Sequence, residues 1–331
     1  MMGTTAHILS AQNRASSKTM IKRWCLLMWV VGLVAMLATL VVFTLLVATP
    51  LVLNSTGCVL PAISSSFSVS PLQASPSAKE FSIIMGVFST ASRVERRNII
   101  RLAYGMQSTD IANVTVRFII GRPMDRNESL QIGLESHRYG DIIVLDMDEN
   151  MNAGKTWRFF STVFEMGVRY DYVMKVDDDS YVRINNLASS LAEESRTDLY
   201  YGYILPCANK NPYWGYMAGM GYVITWDLIE WISTSEIVLN KTGGYQEDRM
   251  TADWFNEGKK AKHRVSKKPL FYDHPQYMGK NRCPNELVPE TILIHQMKST
   301  ELWMDVLQHF EGGRFSLNGS TAVGNGSVAL S

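Results

Sequence analysis

Three consecutive aspartates, Asp177, Asp178 and Asp179, close the apolar run "YDYVMKVDDD". Like charges repel, and a carboxylate loses hydration in an apolar setting, so the cluster requires a counter-charge. A turn or helix cap needs one such residue, and the helix-like "VRINNLASSLAEES" that follows can use it. An EF-hand loop would need Gly at its sixth position and Glu at its twelfth. Counted from Asp177, those are Val182 and Ala188. The remaining chemistry is a hard divalent cation, Mn²⁺ or Mg²⁺, held by one or two carboxylates together with substrate phosphates. Along an extended strand Asp177 and Asp179 face one way and Asp178 the other. A second acidic pair, Glu247 and Asp248, opens the helix-like "QEDRMTADWFNEG". It suits either a favourable first-turn charge or a base that takes a proton from a hydroxyl. His295 lies in the apolar "ILIHQM", as a packed histidine or a neutral metal ligand.

These residues need a frame. "FSIIMGVFS", "VTVRFIIG", "DIIVLDM" and "YDYVMKVDDD" read as buried strands. Helix-like stretches at 93–104, 125–139 and 153–168 alternate with them. That order predicts an α/β fold with a mostly parallel sheet covered by helices on both faces. Ligands in such sheets bind beyond the carboxyl ends of the strands, where the aspartates fall. No internal repeat or second linker interrupts residues 80–312, which read as one catalytic domain.

The chain has 331 residues, a formal net charge of +1 and a hydrophobic fraction of 46%. No basic surface for nucleic acid is implied. Residues 24–47 carry no charge and are long enough to span a bilayer core of ~30 Å. Lys18, Lys22 and Arg23 precede them, so the positive-inside bias keeps 1–23 cytosolic and sends the remainder across as a type II protein. Residues 48–79 are rich in Ser, Pro and Ala and read as a stem. Residues 313–331 read as a disordered tail. Glycosylation sequons at Asn54, Asn113, Asn127, Asn240, Asn318 and Asn325 all fall on the luminal side. In that oxidising space Cys207 and Cys283 can pair. Cys58 is left in the stem, to bridge a homodimer or remain a free thiol.

The blocks together resemble the β-1,3-glycosyltransferases, the galactosyltransferase and N-acetylglucosaminyltransferase family of GT-A, Rossmann-like fold. "RRNIIRLAYG", "RFIIG", "ESHRYGDIIVLDMDENMNAGKTWRFF", "VMKVDDDSYVR", "YWGYMAGMGYVITWDL", "YQEDRMTADW" and "ILIHQM" match its segments in order. The resemblance implies an inverting, metal-dependent Golgi membrane enzyme that uses a UDP-sugar donor. Its acceptor would be a glycan on a glycoprotein or glycolipid. It implies Asp179, Asp177 and His295 as metal ligands, with Asp177 also facing the nucleotide alongside Asp178. Asp248 matches the base, with Glu247 orienting the acceptor or raising the pKa of its neighbour. Gly219 and Gly221 can mark a bulge or form a sugar-binding wall. Tyr213, Trp214 and Tyr216 can stack on sugars or pack in the core. Arg97 and Arg101, one turn apart, reach the nucleotide or lie on a solvated face, and Lys155 is a candidate for a phosphate contact. The chain departs from the family at Tyr104, at "NAGKTW" and at Arg249, which bears on the acceptor. Two other readings are a catalytically inactive glycan-binding or scaffolding relative, and a metal-dependent hydrolase. The first has no need of an intact acidic set, and the second lacks ligands for a two-metal site.

Overall fold

The computed structural model describes residues 79–278 and 282–312. The expected tail 1–23, span 24–47, nearly all of the stem and the segment 313–331 lie outside the described residues. Among the described residues, no helix is long and apolar enough to cross a membrane.

The first half alternates strand and helix: β1 (Phe81–Phe88), α1 (Val94–Gly105), β2 (Ala112–Arg122), α2 (Arg126–Tyr139), β3 (Ile142–Asp148), α3 (Thr156–Glu165) and β4 (Tyr172–Asp177). The second half holds β5 (Tyr181–Val182), α4 (Ile184–Ala192), β6 (Leu199–Leu205), β7 (Tyr216–Thr225), α5 (Trp226–Thr234), α6 (Glu236–Leu239), α7 (Glu247–Glu257), β8 (His263–Ser266), β9 (Phe271–Asp273), β10 (Leu293–His295) and α8 (Thr300–Glu311).

The main sheet runs β3-β2-β1-β4-β7-β6-β8. The neighbours β3, β2, β1 and β4 are parallel, and β6 pairs β8 in parallel. Only β7 is reversed, pairing antiparallel with β4 and β6. The result is the expected mostly parallel α/β sheet. Along β1, Ile83, Met85 and Val87 enter one core with residues of α1, α4 and α8, while Ile84 and Phe88 enter another with α3, α5 and α7. A strand covered on both faces must be apolar throughout, which explains its near-continuous hydrophobic sequence. Gly86 allows α3 to pack closely on the sheet: a Cβ there would lie 2.3 Å from the Phe159 ring.

The helix expected over 153–168 starts late. Met151–Lys155 form a π-type turn in which Gly154 has φ +91°, and α3 begins at Thr156. That positive φ suits glycine and interrupts the helical backbone. A small second sheet, β5-β10-β9, lies beyond the end of β4. Cys207 and Cys283 are disulfide-bonded, with Cα atoms 5.6 Å apart and a sequence separation of 76. For a loop of that size, replacing both cysteines by serine is expected to lower unfolding free energy by about 2–5 kcal/mol. Urea denaturation of the double variant checks this, and a loss under about 1 kcal/mol contradicts it.

Candidate active site

The site is built around the end of β4. The strand stops at Asp177, and a turn closed by Ser180 N–H on the Asp177 carbonyl, 3.1 Å, carries the next two aspartates. Tyr104 donates its hydroxyl to the Ser180 carbonyl at 2.9 Å, so this departure from the family sequence braces the turn. The expected alternation survives. Asp177 and Asp179 face His295, while Asp178 forms an ion pair with Arg93 at 2.6 Å. Burial raises the pKa of Asp178, and the Arg93 charge opposes that.

The β5-β10 pairing brings His295 to the turn, although more than a hundred residues separate it from the aspartates. Its Nε2 lies 3.2 Å from Asp179 Oδ1 and 3.9 Å from Asp177 Oδ2. Its Nδ1 lies 2.7 Å from Asp273 Oδ1. Asp273 in turn accepts the Cys283 N–H at 2.9 Å. One ligand atom from each of Asp177, Asp179 and His295 falls within 4.8 Å of the others. A hard cation with ligands at about 2.1 Å spans about 4 Å, so the set fits one. The Asp273 carboxylate fixes the imidazole as metal-bound histidines require. With protein groups alone, burial lowers the His295 pKa, but Asp179 and Asp273 outweigh it and raise it to about 9. Asp179 is correspondingly held low by His295 and Lys298, despite its burial.

Across the cleft, α7 presents its first turn. Asp248 Oδ2 accepts the Gly219 N–H at 3.0 Å and Oδ1 accepts the Arg249 N–H at 2.8 Å. Burial raises its pKa above the ordinary range, opposed by the charge of Lys175 and by these two donors. Glu247 is buried, accepting from Thr156 Oγ1 at 3.0 Å and from Lys175 Nζ at 2.6 Å. Lys175 is one of the residues that the sequence reading missed. Its fully buried ammonium also meets Asp177 Oδ1 at 2.7 Å and the Gly219 carbonyl at 2.8 Å. Burial pulls its pKa down, but Asp177 and Glu247 more than offset this. A lysine inside the apolar strand "YVMKVD" was a legible signal, because a buried ammonium requires anionic partners. Asp273, Arg93 and Lys298 were also missed, and no local pattern marks them.

Asp177, His295, Gly219, Glu247, Asp248 and Tyr216 share a cleft of ≈ 750 Å³. Asp178 and Asp179 also line an adjoining pocket of ≈ 940 Å³ with Arg93, Arg96, Lys298 and Ser299.

Several expected residues lie elsewhere. Arg97 is fully buried: its guanidinium grips Glu135 at 2.7 and 2.8 Å and donates to the Thr90 and Ala91 carbonyls. Arg101 binds Glu135 and Asp141, both at 2.7 Å, and lies over the Tyr139 ring. One helical turn apart, the two arginines share a face, and that face meets α2 and the Asp141 segment. Nucleotide contact is therefore corrected: Arg97 supports the loop after β1, and Arg101 ties α1 to Glu135 and Asp141. Lys155 is likewise corrected. Its buried Nζ binds Glu149 at 2.6 Å and the Ser89 carbonyl at 2.7 Å, which leaves no donor directed to a phosphate. Gly219 lines the cleft, and a Cβ on it would lie 2.9 Å from Glu247 Oε1. Gly221 is instead a packing residue, where a Cβ would lie 2.5 Å from Leu293. Tyr216 lines the cleft, but Tyr213 and Trp214 are exposed, so core packing does not account for them.

Comparison with known proteins agrees with this geometry. Residues 95–211 match the family model described as Galactosyltransferase. The β-1,3-galactosyltransferase pvg3 of Schizosaccharomyces pombe is 24% identical over 290 residues, 70% of this chain and 75% of that one. Arabidopsis thaliana β-1,3-galactosyltransferase GALT1 is 28% identical over 173 residues, 45% of this chain and 26% of that one. Mouse β-1,3-galactosyltransferase 6 is 27% identical over 205 residues, 55% of this chain and 62% of that one. The chain thus spans three quarters of the fission yeast relative and less than two thirds of the other two. Among solved structures, the galactosyltransferase LgtC with donor and acceptor sugar analogues aligns at TM-score 0.41 and 13% identity, covering 69% of this chain and 96% of that one. The class is that of the glycosyltransferases. Within it, residues 95–211 are similar to the galactosyltransferase family, and the relatives matched are β-1,3-galactosyltransferases.

Proposed function

We propose that the protein is an inverting, metal-dependent transferase. It would move galactose or N-acetylglucosamine from a UDP-sugar to a glycan hydroxyl in β-1,3 linkage. The names of its relatives favour galactose as the sugar and β-1,3 as the linkage. The observation that carries the proposal is that Asp177 and His295, which with Asp179 form a set able to hold a cation, share one cleft with the buried carboxylate of Asp248.

Asp177, Asp179 and His295 would hold Mn²⁺ or Mg²⁺, which when bound neutralises the diphosphate of the donor. The other roles fall to the chain itself. Asp248 takes the proton from the acceptor hydroxyl as the new glycosidic C–O bond forms. The bond from C1 to the phosphate oxygen breaks, and UDP departs with the electron pair. Attack on the face opposite the leaving group inverts C1. Gly219 N–H and Arg249 N–H fix the carboxylate for that transfer. Apolar residues 24–47 and the luminal sequons support a type II Golgi membrane protein acting on glycoprotein or glycolipid glycans.

The test is UDP release by the full chain in mild detergent, with Mn²⁺, a panel of UDP-sugars and simple glycoside acceptors. Turnover with one donor is expected, abolished by EDTA and by Asp179→Ala. Donor binding without turnover on any acceptor would favour the inactive, glycan-binding reading. Turnover indifferent to EDTA would exclude the metal site.

A further inference from the structure

Leu205, Pro206, Cys207 and Tyr216 form one wall of the cleft. Between Cys207 and Tyr216 the β6–β7 loop projects, carrying Tyr213 and Trp214. The loop is tightly held. Lys268 Nζ donates to three of its carbonyls, Pro206 at 3.2 Å, Cys207 at 2.9 Å and Asn209 at 2.8 Å. The disulfide ties it to Cys283. Asn211 Oδ1 accepts the Tyr213 N–H at 3.0 Å, Tyr213 Oη donates to the Lys262 carbonyl at 2.7 Å, and Asn209 Nδ2 donates to the Trp214 carbonyl. Gly215 has φ +153°, and a Cβ there would lie 2.1 Å from the Leu205 oxygen, so only glycine lets the loop close on β6.

Within this fixed loop the indole of Trp214 remains 77% exposed. Apolar surface is normally withdrawn from water, and here the largest side chain type is held out on an immobilised backbone. A preorganised aromatic face of this kind loses little entropy when a ligand settles on it. Its position is informative. Trp214 is two residues from the cleft-lining Tyr216, a Cα separation of at most ~7 Å. An acceptor whose hydroxyl meets Asp248, and whose glycan continues past Tyr216, leaves the cleft beside Trp214.

We infer that Trp214 is a stacking platform for the second sugar of the acceptor, so that the substrate is the end of an oligosaccharide and not a lone sugar. The apolar C–H face of a pyranose lies on the negative face of the ring. The inference rests on the transferase reading for the sugar in the cleft, but its binding arm does not depend on turnover.

The experiment compares wild type, Trp214→Ala, Trp214→Tyr and the control Leu102→Ala, an exposed apolar residue on α1. Acceptors are methyl glycosides of galactose, N-acetylglucosamine and mannose, and disaccharides ending in each. Wild type is expected to prefer the disaccharide in kcat/KM. Trp214→Ala should reduce that preference about tenfold through KM, Trp214→Tyr should restore most of it, and Leu102→Ala should not alter it. In parallel, tryptophan fluorescence of wild type and Trp214→Phe is titrated with the disaccharides in the presence of UDP and Mn²⁺. A disaccharide preference that survives in Trp214→Ala, or the absence of any Trp214-dependent signal, overturns the inference. A Trp214-dependent signal without turnover on any acceptor retains the platform and overturns the transferase reading instead.

Discussion

Asp248→Asn is expected to lower transfer by about 10²–10⁴-fold while leaving the fold and UDP binding in place. The amide has nearly the shape of the carboxylate and keeps an oxygen for the Gly219 N–H, so α7 retains its seat against β7. What it cannot do is take a proton from the attacking hydroxyl. The pH profile separates this role from a structural one. A base works unprotonated, and burial raises the Asp248 pKa above the ordinary aspartate range. Wild-type kcat should therefore decline with falling pH sooner than an ordinary aspartate would allow, and the residual activity of the variant should lack that limb. Measurement of kcat across the acid and neutral range, with UDP titration as the binding control, checks both. A variant within about threefold of wild type would remove Asp248 from the chemistry.

Lys175→Met is expected to destabilise the protein by about 3–5 kcal/mol. The variant leaves Asp177 and the buried Glu247 without the cation they share. Glu247 can escape only by protonation, so its pKa, already raised by burial, rises further. The sign of the pH dependence follows. A carboxyl whose folded pKa exceeds its unfolded value binds protons on folding, so the variant's deficit shrinks as pH falls. Adding Glu247→Met should recover part of the loss, because an apolar pair suits a buried site better than an uncompensated charge. Urea denaturation at two pH values measures all three effects, and a deficit under about 1 kcal/mol at neutral pH would sink the account.

The strand-end aspartates, the alternating α/β frame and the Glu247–Asp248 pair were legible because each rests on local pattern. An apolar run of strand length, acids at its end and acids in a helix first turn lie within a few residues of one another. The arginines were misplaced for the converse reason. Spacing shows that Arg97 and Arg101 share a helix face, but not which neighbour that face meets. The partner is Glu135, from another helix. Asp273, which orients His295 through the pairing of β9 with β10, depends on tertiary assembly that periodicity does not encode. Gly221 shows the same limit, since a strand glycine admits either a ligand or a packed side chain, and here Leu293 fills the space.

The reversal of β7 affects how such a chain can diversify. Because this strand runs against its neighbours, the β6–β7 connection opens at the catalytic end of the sheet, while the turn from β7 into α5 lies at the far end. The turn that carries Asp177 and Asp179 is set by β4 and by the small sheet, neither of which passes through that connection. Insertions and substitutions between Ala208 and Trp214 can therefore change what reaches the cleft while the acidic cluster keeps its register. On the proposed transferase reading, a library confined to that segment, with the loop-holding Asn209 and Asn211 kept, would vary acceptor choice within an unchanged acidic cluster. The fold thus separates an evolvable rim from a fixed centre.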